Sequence, residues 1–191
     1  IEPYNQIVKT KGYNFHFVAV RDFSIGLDKA WLPPAVDDEL FINKQLTRDI
    51  PLGFVGSLIN RQALLDYMTN RYGLQQHIRV LGDKMVDLLN RFSISFNKNI
   101  GNDTNYRSFE SISCGAMLLT DNNPAYKDLG FVAGKNCFMY SKLEDIDAIM
   151  KYLQDTPSAI NGIALEGYSL AAKHTYKQRV NHIIKFLANK I

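Results

Sequence analysis

From Leu52 onward, short apolar runs alternate with segments in which apolar side chains recur every three or four residues. Leu52 to Gly56 predicts a buried strand, Leu64, Leu65 and Met68 mark one helix face, and His77 to Leu81 predicts a second strand. Met85, Val86, Leu89 and Phe92 mark the next helix, and Ser93 to Asn97 a third strand. In the seventeen residues from Asn105 to Asp121, Tyr106, Phe109, Ile112 and Ser113 fall at helical spacing. Gly115 supplies a permissive stop there, and Ala116 to Thr120 makes a fourth strand. Cys137 to Tyr140 adds a fifth. Alternation of this kind predicts an α/β fold, a doubly wound parallel sheet covered by helices on both faces, because parallel neighbours need crossover connections.

Three helical patterns close the chain. Ile146, Ile149, Met150 and Leu153 share one face, and Pro157 opens a helix continued by Ile160, Ile163 and Ala164. Tyr176, Val180, Ile183, Ile184 and Leu187 form the stripe of the last helix, with Lys177, Arg179 and Lys185 off it on an expected solvated face. At the other end, Tyr13 to Val20 is aromatic and β-branched enough for a strand, after a polar segment that fits the end of a helix. His16 in that run has no second metal-ligand residue nearby and receives no role. The period is lost from Arg21 to Ile50, and the two prolines between Trp31 and Asp37 mark a linker.

Composition narrows the function classes. The 191 residues suit one ordinary domain plus an extension, at roughly 150 residues per domain. Lys and Arg total 22 against 19 Asp and Glu, too mild a balance for a nucleic-acid surface. No apolar run approaches the roughly 18 residues of a membrane span, and no signal peptide opens the chain, so a cytoplasmic location is expected. Cys114 and Cys137 lie beside apolar runs and are expected to be buried and reduced. A start on Ile1 rather than Met suggests a fragment or a processed product. The chain has no serine or cysteine nucleophile elbow, HExxH zinc motif or phosphate-binding GxxxxGK[ST] loop, and no metal site is predicted.

Arg107, Phe109, Glu110, Cys114, Gly115, Thr120 and Asp121 together resemble the donor-binding signature of group 1 GT-B glycosyltransferases, particularly the spore-maturation and spore-coat branch. Leu32-Pro-Pro-Ala-Val-Asp37 resembles the passage between lobes in that family, and His174-Thr-Tyr-x-x-Arg179 its closing segment. The resemblance extends over residues 30 to 187. It implies a Rossmann-like GT-B C-terminal lobe of bacterial type, with residues 1–36 the tail of an N-terminal lobe and linker, and 37–191 the nucleotide-sugar donor domain including a crossing helix. It also implies a nucleotide-diphosphate sugar as donor substrate, no cofactor, an acceptor that is a glycan, protein or small molecule, and a largely missing N-terminal lobe. Catalytic residues are not assigned.

For the site, the resemblance implies that Glu110 bonds the ribose hydroxyls, which suits a group that only accepts and has two oxygens. Spacing alone makes Glu110 an ordinary solvated glutamate. With the strand order 3-2-1-4-5, the ligand crevice is expected between Leu52–Gly56 and Ala116–Thr120. Gly56, Ser57 and Arg61, on the loop leaving the first strand, resemble the family's diphosphate loop, where glycine permits close approach and arginine forks match phosphate. Asp103, Asn105 and Arg107 precede or open the helix of Glu110, where free amides favour anions, and are further donor-binding candidates. A structural turn is the alternative at both loops. One departure stands out: eight residues before Glu110, where retaining relatives carry a second glutamate, this chain has Asn102. That puts contact with the transferred sugar and a retaining outcome in doubt. The competing class is a noncatalytic nucleotide- or sugar-binding or regulatory module of the same fold. An unrelated doubly wound receiver or dinucleotide binder is less favoured, because no Gly-x-Gly-x-x-Gly follows the first main strand.

Overall fold

A computed structural model describes residues 15–23, 29–101 and 103–189. The chain divides into two compact units, Ile1–Pro33 and Pro34–Ile191. In the first, β1 (His16–Val18) pairs in parallel with β2 (Lys29–Trp31), and the Trp31 indole donates to the Ala19 carbonyl at 2.8 Å. β1 lies inside the strand expected from Tyr13 to Val20; the start of that run and the polar segment before it fall outside the described residues. β2 lies where the period was lost, because three residues are too few to display one.

The second unit runs β3 (Ile50–Gly56), α1 (Gln62–Tyr72), β4 (Gln75–Ile78), α2 (Gly82–Arg91), β5 (Phe92–Phe96), α3 (Tyr106–Ser113), β6 (Met117–Asp121), α4 (Pro124–Asp128), β7 (Phe138–Tyr140), α5 (Leu143–Asp155), α6 (Ser158–Ala171) and α7 (Tyr176–Ala188). Its five strands are all parallel, in the order β4-β3-β5-β6-β7. Counted from the first main strand this is 2-1-3-4-5, not the expected 3-2-1-4-5. β5 separates β3 from β6, pairing Leu52 with Ile94 on one side and Ile94 with Met117 on the other. The crossover through α2 returns the chain past β3 to its free edge, and each later crossover steps outward from there.

β4 sits earlier than the expected His77 to Leu81. Arg79 takes a positive φ of 59° that ends the strand, and Leu81 is 75% exposed at the cap of α2. The sheet is buried between helices: Leu52, Phe54, Ile94, Phe96, Met117 and Leu119 pack with Leu65, Met68, Ile146 and Met150. The short α4 was not anticipated; Asn123 caps it by accepting from the Ala125 amide at 2.9 Å, and Pro124 occupies its first turn.

Gly115 has a close-approach role. Its φ is +75°, and a Cβ there would lie 2.6 Å from Asn43 Nδ2 and 2.8 Å from Arg48 Nη2. The Arg48 fork donates to Phe92 O at 2.5 Å and Cys114 O at 2.9 Å, tying the start of β5 to the end of α3. Both cysteines are free and buried, and burial pushes their thiols up to about 12.

α7 has the expected stripe, yet among the described residues none of its side chains is buried, and Tyr176, Val180 and Ile184 are half exposed. Arg179 departs from the expected solvated face. It is half-buried, donates to Pro34 O at 2.9 Å, and faces His174 Nδ1 at the same distance. His174 Nε2 lies 2.8 Å from Leu129 O, and burial next to Arg179 holds its pKa down at about 4. Among the described residues, no helix is long and apolar enough to cross a membrane.

Candidate functional site

The strand order reverses between β3 and β5, so their carboxyl ends open a crevice in which ligands of doubly wound sheets bind. A cavity of about 330 Å³ occupies it. Of the seven sequence candidates, Gly56, Ser57, Arg61, Asn105, Arg107 and Glu110 line this cavity, and Asp103 does not. A neighbouring cavity of about 700 Å³ shares Gly56, Ser57, Leu81 and Arg107 with the first, and is walled by Ile59, Ile78 and Val80.

The two loops flanking the crevice are tied together. Arg61, 9% exposed, donates from Nε to Lys98 O at 2.8 Å and from Nη1 to Ser57 O at 3.1 Å. Lys98 answers from the opposite side, its Nζ donating to Asn60 O at 3.2 Å. Much of the Arg61 fork is therefore spent on backbone carbonyls, and burial pushes its pKa down despite the charge of Asp121. Lys98, absent from the sequence candidates and from the lining of both cavities, is a cation on the loop that follows β5. Its position just beyond β5 is a signal only once the strand order is known.

Asn105 caps α3. Its Oδ1 accepts from the Ser108 amide at 3.2 Å, its Nδ2 donates to Asn97 Oδ1 at 3.0 Å, and its own amide donates to Asn99 Oδ1 at 3.1 Å. Behind the cap lies a buried polar hub. The Tyr126 hydroxyl meets Asn99 Nδ2 at 2.8 Å, Ser108 Oγ at 2.6 Å and Thr120 Oγ1 at 3.1 Å. Burial pushes that phenol up to about 12. Asp121 accepts from the Asn99 amide at 2.7 Å and from its side chain at 3.0 Å. Thr120 and Asp121 thus hold the loop in place instead of lining the cavity. Asp103 belongs to the same loop: its carbonyl accepts from Asn123 Nδ2 at 3.2 Å, and burial raises its carboxyl pKa.

Glu110 is not the solvated glutamate that spacing predicts. Its side chain is 13% exposed and that of Arg107 16%, with Arg107 Nη1 only 2.8 Å from Glu110 Oε2. The approach is an ion pair without hydrogen-bond alignment, so Oε2 is buried with no hydrogen-bond partner among the described residues. The same Arg107 nitrogen lies 2.7 Å from Met85 Sδ. Burial raises the Glu110 pKa, opposed by the charge of Arg107, and burial lowers that of Arg107. The result is a carboxylate at the edge of a cavity with acceptor capacity left over.

A family model described as glycosyl transferase-like matches residues 40–185. Among solved structures, the chain is similar to the C-terminal domain of a glycosyl transferase group 1 family protein from Francisella tularensis. Identity there is 11%, coverage 72% of this chain and 97% of that one, and the TM-score 0.55. It is similar to a glycosyltransferase from Rickettsia africae at 9% identity over 97% of this chain and 65% of that one, TM-score 0.69. It is also similar to Anabaena HepE in complex with UDP-glucose, at 12% identity over 98% and 52%, TM-score 0.56. The chain spans about half to two thirds of these two longer structures. No curated protein matches it. These likenesses show the fold, that of a GT-B C-terminal domain.

Proposed function

The chain belongs to the glycosyl transferase-like family, and on that premise we propose that residues 37–191 form the donor lobe of a two-lobed glycosyltransferase. The lobe binds a nucleotide-diphosphate sugar in the crevice between β3 and β5. The observation that carries this reading is Glu110, a mostly buried carboxylate that receives no aligned hydrogen bond and lines the cavity at the reversal of strand order. Two vicinal ribose hydroxyls would supply the donors it lacks. The amides of Gly56 and Ser57 attract the diphosphate and stabilise the charge that develops on it as the sugar departs, with Lys98 a cation on the neighbouring loop. Asn105 and Arg61 serve by fixing the two loops, and Asp103 stands outside the donor set. The acceptor pocket and any general base belong to the other lobe. The spore-maturation and spore-coat branch, which the signature resembles, is part of this proposal.

The UDP-glucose held by the Anabaena relative makes UDP the first probe to try. Calorimetry with UDP, GDP and ADP is expected to find one tight binder, weakened about tenfold or more in Glu110→Ala, the worth of hydrogen bonds to a charged acceptor. Equal affinity in the variant would remove Glu110 from the site. Binding without any sugar transfer, in a protein carrying both lobes, would favour the noncatalytic module.

A further inference from the structure

Arg107 looks, in sequence, like a phosphate ligand, but its surroundings are unlike those of a free anion-binding arginine. It is 16% exposed, its Nη1 is taken up between Glu110 Oε2 and Met85 Sδ, and it stands in the wall common to both cavities. Its partner is three residues along the same helix, so the pair is set by α3 itself and survives any movement of the flanking loops. A carboxylate this buried, offered no aligned hydrogen bond, would take up a proton unless a fixed positive charge stood against it. A protonated Glu110 would offer one oxygen as a donor and lose the geometry that accepts two hydroxyls.

We infer that Arg107 is a positioning residue acting through Glu110: it holds the carboxyl group charged and turned toward the crevice, and ribose recognition depends on the pair. This deepens the donor-lobe reading and rests on it. The other titratable groups that face the pair are few. Cys114 ends the same helix, Tyr176 at the start of α7 is coupled to Glu110, and Arg61 from the loop after β3 faces Arg107. The thiol is pushed up to about 12 by burial and the phenol is raised above its ordinary value, so both stay neutral. Arg107 is the cation in contact with Glu110.

The test measures the titration of Glu110 directly. The chain has five glutamates, and the carboxyl carbon resonance of Glu110 in labelled protein is assigned by its loss in Glu110→Gln. In Arg107→Gln the midpoint is expected to rise by about 1 to 3 pH units, the usual influence of an opposite charge at this range. Arg107→Lys should keep it near the wild-type value. Affinity for UDP, GDP or ADP, whichever binds wild type, should follow: weakened near neutrality in Arg107→Gln and recovering as pH rises past the new midpoint. A plain phosphate contact predicts instead an equal loss at every pH with the Glu110 midpoint unmoved, and that result would overturn the inference. Should Arg107→Gln fail to fold, Arg107→Lys keeps the test open. In that case, pH-independent affinity loss in Arg107→Lys overturns the inference. A midpoint that moves as expected in a chain that binds none of the three nucleotides leaves the clamp standing and defeats the donor reading.

Discussion

Two carboxylates in this unit, each beside an arginine, have opposite fates. Asp147 on α5 joins that helix to α1: it accepts from the Tyr67 hydroxyl and from Tyr72 at 2.5 Å, and pairs with Arg71 at 3.1 Å. Those bonds hold its pKa below the ordinary carboxylate range. Glu110 has one arginine, no aligned hydrogen bond and a pKa that burial has raised. Asp147 is a structural joint, its Oδ1 taking two phenols and a guanidinium from α1. Glu110 is short of hydrogen-bond donors and lines a cavity. Both belong to charged pairs, so the supply of hydrogen-bond donors separates Asp147 from the carboxylate proposed to bind donor.

The contrast can be broken in several ways. The largest effect is expected behind the crevice: Tyr126→Phe takes one partner each from Asn99, Ser108 and Thr120 in a buried hub and should cost about 1–3 kcal/mol in urea unfolding. An unchanged midpoint would mean the hub is not what holds the Asn105 cap. Next comes Glu110→Gln, which keeps the size of the side chain but replaces one acceptor oxygen with a donor. Nucleotide affinity should fall about tenfold. Asp147→Asn should do the reverse, with affinity untouched and a small loss of unfolding midpoint; nucleotide binding that followed Asp147 would erase the distinction.

The smallest effect is a pH dependence of opposite sign. Glu110, with its folded pKa raised, contributes stability below the ordinary glutamate range, and that contribution is lost as pH rises through the folded value. Asp147, with its folded pKa lowered, contributes above the ordinary aspartate range and loses it as pH falls through the folded value. Urea unfolding at about pH 3 and about pH 7, bracketing the ordinary carboxylate values, should show the wild type losing ground to Glu110→Gln with rising pH and gaining on Asp147→Asn. Parallel trends in the two variants would show that the carboxylates are alike after all.

Sequence carried most of the elements and little of their arrangement. β3, α1, α2, β5 and β6 were legible because each is long enough to show its period. β4 was misplaced by two residues, since the turn at Arg79 is a backbone event that no hydrophobic pattern announces. Strand order was hidden for a different reason: a helical crossover reads the same whichever edge the next strand joins. At the site, the resemblance pointed to Glu110, whereas spacing could not tell a buried helix position from a wet one. Asn105 and Arg61 were chosen for chemistry that suits phosphate, and the fold spends much of that chemistry on its own amides and carbonyls. Lys98 was missed because its loop neighbours the one after β3 only when β5 lies next to β3.

The bare backbone at Gly115 has a reach beyond its own turn. By admitting the Arg48 guanidinium to the carbonyl that ends α3, it pins the rear of that helix. A methyl group at that point would meet Asn43 and Arg48 and press on the end of the helix whose other end carries the Asn105 cap and Arg107. The glycine of the motif thus supports, from behind, the helix that carries the proposed donor contacts.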